Sequence, residues 1–177
     1  MMSDLMPVLQ HGLFYGSLVT VLMSVIIFGS LYQNPEIWLH DAPAAIQARL
    51  GPMSATAKRQ RLYWALTMVV GLVGLTVWSI IQLPMVTGAP LTFTAVFLST
   101  LVMLMTFNLV DLLIIDWLII VTFQPRWMML KGAEDLVDYN DYGFHGRAFL
   151  KGTVGIVIAS AVVAGLAVVL ASVASGL

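Results

Sequence analysis

The chain has 177 residues, of which 60% are hydrophobic and only 10% charged, against roughly 45–50% apolar and about 25% charged in an ordinary soluble domain, so a water-soluble globule is excluded. Eight Lys and Arg against nine Asp and Glu give a formal net charge of −1, which leaves no basic excess for a phosphate backbone and sets nucleic-acid partners aside. The lack of cysteine removes disulfides, thiolate metal sites, cysteine nucleophiles and covalent c-type haem attachment.

A hydrocarbon core roughly 30 Å thick needs about 20 apolar residues of helix to cross it, and four stretches qualify. Residues 8–32 carry no formal charge. The leader MMSDLMP lacks the positive n-region of a signal peptide, so this stretch reads as a retained helix. Residues 62–83 are also uncharged and stop at Pro84. Residues 91–123 would run roughly 50 Å as one helix and hold two carboxylates. Residues 148–177 are small and aliphatic, with Lys151 near their start. The fold class expected is all-α: one polytopic membrane domain over 1–177, four transmembrane helices in an up-down bundle.

The connectors carry the topology. Residues 33–61 hold Arg49, Lys58, Arg59 and Arg61, and the stretch beyond the third span holds Arg126, Lys131, Arg147 and Lys151, which is every basic residue in the protein. The positive-inside rule therefore puts connectors 33–61 and 124–147 in the cytoplasm and both termini on the other side of a multi-pass cell membrane protein. In the first connector, Asn34-Pro35-Glu36 reads as a helix cap with proline at the first helical position. Ile37, Trp38, Leu39 and Ile46 follow, so a short amphipathic helix lying on the inner membrane surface is expected. Trp127, Tyr142 and Phe144 give the second connector the same interfacial composition.

Spans associate through small residues that let backbones approach. Gly12, Gly16, Thr20 and Ser24 recur at four-residue spacing in the first span, and the last offers Gly155 with Ala159, Ser160 with Ala164, and Ala161 with Gly165. These faces serve packing inside the bundle or a homo-oligomer seam; the pattern does not choose.

The third span raises a chemical question, because Asn108, Asp111 and Asp116 lie in an otherwise lipid-compatible run. An aspartate at the centre of a span costs about 2.5–3.5 kcal/mol on insertion scales. At 100° per residue Asp111 lies about 60° to one side of Asn108 and Asp116 about 80° to the other, so one face is polar, with Asp116 about 7.5 Å nearer the cytoplasm. One reading pairs Asp116 with Arg61, Arg147 or Lys151 and lets Asn108 and Asp111 bond neighbouring hydroxyls or backbone. The other makes Asn108, Asp111 and Asp116 a site that binds or passes a small cation, proton or polar ligand.

The candidate cytoplasmic face comprises Glu36, His40, Arg126, Asp141 and His145. His40 with Asp41, or Asp141 with His145, could serve as acid and base for a lipid-modifying enzyme, but no nucleophile elbow, phosphate loop or histidine box accompanies them. Glu134, Asp135, Asp138 and Asp141 match neither an EF-hand loop nor a His-Glu-x-x-His zinc site, so a solvated acidic turn is expected, with no metal. His11 has no partner histidine within its span, and no cofactor is implied. A third class of function is a structural or accessory subunit docking a larger membrane complex through the connectors.

Asn34-Pro35-Glu36-Ile37-Trp38-Leu39-His40-Asp41-Ala42-Pro43, Asn108 to Asp111, Asp116-Trp117-Leu118, Gln124-Pro125-Arg126 and Asp141 to His145 together resemble a group of small prokaryotic four-helix membrane proteins without an assigned function. The resemblance covers nearly the whole chain and implies a shared fold, with no activity or catalytic residue attached to it.

Overall fold

The computed structural model describes residues 2–133 and 140–176, with four helices long and apolar enough to cross a membrane and no strand among the described residues. Helix α1 is Met2–Gln33. A 3-10 turn, Pro35–Asp41, and a two-turn helix α2, Ala44–Leu50, form the first connector. Helix α3 is Ala55–Thr87. Helix α4, Phe93–Val110, continues without a break into a π-helical segment, Asp111–Phe123. Helix α5 is Tyr142–Ser175.

The second and fourth spans start earlier than hydropathy suggests, because polar caps set their starts. Ser54 and Asp141 accept from the backbone N–H of Ala57 and Phe144, satisfying otherwise orphaned donors and starting α3 and α5 seven and six residues ahead of their apolar runs. Thr92 caps α4 through Ala95 N–H in the same way. Pro84 does not end α3 as expected. Its ring falls in the last turn, where the missing N–H costs one bond, and the helix closes at Gly88, whose φ of 65° lets its N–H reach Pro84 O.

Helix α1 is the inner span: 39% of its most apolar stretch is buried, against 6% for α3 and 11% for α5. Val19 and Met23 on α1 pack with Met103 on α4 as a fully enclosed cluster. The glycines of α1 explain the closeness. A Cβ on Gly12 would lie 2.7 Å from Ser99 O, and one on Gly16 would lie 2.7 Å from Thr106 Cβ. The small-residue run of α1 is therefore spent on α4. On α5, Ser160 and Ala164 are buried, whereas Gly155 and Gly165 face open space.

The first connector is not one amphipathic helix on the membrane surface. Pro43 disfavours helical backbone at Ala42, whose ψ is 157°, and splits the segment in two. Its apolar residues turn into protein: Leu39 and Ile46 join Met53 and Ala57, and Leu130 and Ala133 of the second connector, in a small core of their own. An indole N–H ties this layer to α1, Trp38 to Ser30 Oγ at 2.9 Å, and another joins two spans, Trp64 of α3 to Gln33 Oε1 of α1 at 2.7 Å.

Candidate functional site

Five residues after Asp111 comes Asp116, and the winding of the helix decides whether they meet. In an α-helix they stand roughly 140° apart, but i→i+5 hydrogen bonding brings residues five apart onto one face. The wide register is visible at its end, where Thr122 Oγ1 bonds Trp117 O and Gln124 N–H bonds Ile119 O. Gln124, at φ 46°, then terminates the segment in the left-handed region. The sector of roughly 140° expected from α geometry is thereby narrowed, and both carboxylates border the same two voids.

The larger void is a cavity of about 490 Å³ between the spans and both connectors. Ile27 and Leu31 of α1, Met68 of α3, Phe107 of α4 and Ile115 and Ile120 of the π segment form its deep walls, while Trp38, Pro43, Met128 and Phe144 close it from the connector side. Its polar groups are few: Asp111, Asp116, His145, His40, Asp41 and Gln124. The smaller void, about 100 Å³, lies against Asn108, Asp111, Asp116, Ala148 and Phe149.

These polar groups are not equivalent. His145 Nδ1 donates to Asp116 Oδ2 at 3.0 Å, with the two side chains 15% and 19% exposed. This contact, rather than one to Arg61, Arg147 or Lys151, is the partner of Asp116. It places a proton on Nδ1, between the ring and the carboxylate. Arg61 instead bonds Asp41 Oδ2 and Ile37 O, each at 3.0 Å, and Arg147 bonds Asp141 at 3.4 Å. Asn108 Nδ2 donates to Thr153 Oγ1 at 3.1 Å, and Gly152 lets α5 approach it: a Cβ there would lie 3.1 Å from Asn108 Oδ1. Among the described residues, nothing is hydrogen-bonded or ion-paired to the carboxylate of Asp111.

Of the residues nominated from sequence, Asp111, Asp116, His40 and His145 share the cavity and Asn108 borders the recess beside them. The other three stand apart. Asp141 caps α5, Glu36 bonds Ser54 N–H and Oγ and so fixes the first connector to α3, and Arg126 is exposed outside the cavity wall. Glu134, Asp135 and Asp138 lie outside the described residues. His11 is held by Ser79, its Nε2 2.9 Å from the carbonyl and 3.0 Å from Oγ, remote in sequence from these elements. Sequence reasoning missed the apolar half of the site. Phe107, immediately before Asn108, and the run Met128-Met129-Leu130 were the available signals, the latter apolar inside a connector.

No known protein family, curated protein or solved structure matches the chain. The site is therefore read on its own chemistry. Small-molecule sites are concave, mostly apolar, about 300–1,000 Å³, and carry a few placed polar groups, a description the cavity meets.

Proposed function

We propose that the protein binds a small cationic or hydrogen-bond-donating ligand in this cavity, with Asp111 as the anchor. The observation that carries the reading is a carboxylate with no protein partner among the described residues, in a chamber walled mostly by apolar side chains. A buried ionised group is costly unless it is paired, so a ligand that supplies the counter-charge gains the interaction the protein leaves open. Asp116 and His145 then act as a fixed polar wall, and Asn108 shapes the recess behind them. The basic connectors support an up-down arrangement with the cavity at the cytoplasmic leaflet and both termini on the far side.

The test compares wild-type and Asp111→Asn protein purified in mild non-ionic detergent, reading tryptophan emission, since Trp38 lines the cavity, in titrations with sodium, ammonium and short alkylamines. A saturable response in the wild type that is lost in the variant is expected, with helicity and elution volume unchanged. No saturable response, or an identical one in Asp111→Asn, refutes the reading.

One observation favours a second reading, a lipid-modifying enzyme. Both His40 and His145 border the cavity, and a carboxylate orients His145 as a base would need. Turnover of a membrane lipid that survives the double change His40→Ala, His145→Ala would remove it.

A further inference from the structure

We propose that the ligand is a lipophilic organic monocation, an ammonium or amidinium head on Asp111 with an apolar body against Phe107, Ile115, Met128 and Phe144. This rests on Asp111 being the anchor and narrows the ligand to one chemical class.

The argument is one of matching groups. A calcium ion takes six to eight oxygen ligands, and the described residues contain no group of three or more His, Asp or Glu placed to hold a metal ion. Hydrocarbon walls offer such an ion nothing. They suit an organic body, and the rings of Trp38, Phe107 and Phe144 in the same wall suit a weakly hydrated cationic head. The pairing also selects one positive group: Asp116 is already hydrogen-bonded by His145, and Asp41 by Arg61, so among the described residues lining the cavity a single carboxylate is open. An aminophospholipid carries the same ammonium as a free amine, so both sources belong in the test.

The full chain in phosphatidylglycerol nanodiscs is titrated with 4-phenylbutylammonium, its neutral counterpart 4-phenylbutanol, and sodium, with empty discs as the blank. Saturable tryptophan quenching is expected for the amine, at an affinity roughly tenfold or more above the alcohol, the weight of a hydrogen bond to a charged group, and sodium has no effect. Asp111→Asn lowers the amine to the affinity of the alcohol. Ala148→Phe, filling a position that borders both voids, weakens both ligands. Suppression of the amine response in discs half composed of phosphatidylethanolamine supports the monocation and assigns it to a lipid head. Equal binding of amine and alcohol, unchanged in Asp111→Asn, overturns both the inference and the anchor. A sodium response that disappears in Asp111→Asn, without amine preference, overturns the inference alone. Should either variant misfold, the amine-to-alcohol ratio in the wild type decides.

Discussion

The pair Asp116–His145 offers the sharpest energetic test, because removing either member leaves the other enclosed without its hydrogen-bond partner. The bond is 3.0 Å long between side chains only 19% and 15% exposed, too enclosed for the near-zero value of a surface ion pair. Hydrogen bonds to charged groups contribute about 1.5–3 kcal/mol in water-soluble proteins. Interhelical polar pairs in membranes average only about 0.6 kcal/mol and reach about 1.7 kcal/mol, since the dissociated helices find other partners. A coupling energy of about 1–1.7 kcal/mol is therefore expected from the cycle of Asp116→Asn, His145→Ala and the double variant. Reversible unfolding in mixed micelles with a rising fraction of denaturing detergent, followed by circular dichroism, supplies the numbers. A second cycle checks the cause. With His145 gone, Asp116 loses its hydrogen-bond donor and shares the chamber with Asp111 unpaired, so Asp111→Asn costs less, or becomes stabilising, in the His145→Ala background. Coupling in the first cycle within about 0.5 kcal/mol of zero, the ordinary error of additivity, or a second cycle of the opposite sign, refutes this electrostatic account.

Three further outcomes follow from geometry. Gly16→Ala places a methyl group 2.7 Å from Thr106 Cβ and 2.9 Å from Met103 O and loses about 1–3 kcal/mol by overpacking; Gly155→Ala meets open space and gains up to about 1 kcal/mol of helix propensity, so their thermal midpoints move in opposite directions. Ser54→Ala removes the α3 cap and an acceptor–donor contact with Glu36, costing about 1 kcal/mol and speeding proteolysis in the first connector. Because the chain has no cysteine, single replacements Arg126→Cys and Gly88→Cys report sidedness directly: a membrane-impermeant maleimide applied to intact cells labels the second and not the first, and the reverse pattern inverts the topology.

The four spans were legible from hydropathy, and the earlier starts of the second and fourth were not, because the caps at Ser54 and Asp141 and the solvated turns that follow them contribute no apolar signal. The candidate residues Asp111, Asp116 and His145 stood out by their cost or chemistry, yet their association did not. It depends on a hydrogen-bond register along 111–123 that leaves every apolar residue apolar, so neither composition nor periodicity carries it. Proximity to charge pointed to Arg61 as a partner for Asp116, but Arg61 is satisfied locally by Asp41 and Ile37 O. The chamber wall was the least visible part. Met128 and Phe144 look like interfacial residues until the connectors fold over the spans.

The shared core of the two connectors imposes an order on biogenesis. Leu39 and Ile46 are made first, and their partners Leu130 and Ala133 leave the ribosome some eighty residues later, a delay of roughly 4–17 s at about 5–20 residues per second. During that interval Leu39 and Ile46 have only Met53 and Ala57 of this core to pack against. Only once the second connector has emerged can this small core be completed, so the side of the chamber that Met128, Met129 and Leu130 close forms after the segments carrying Asp111 and Asp116 have been made.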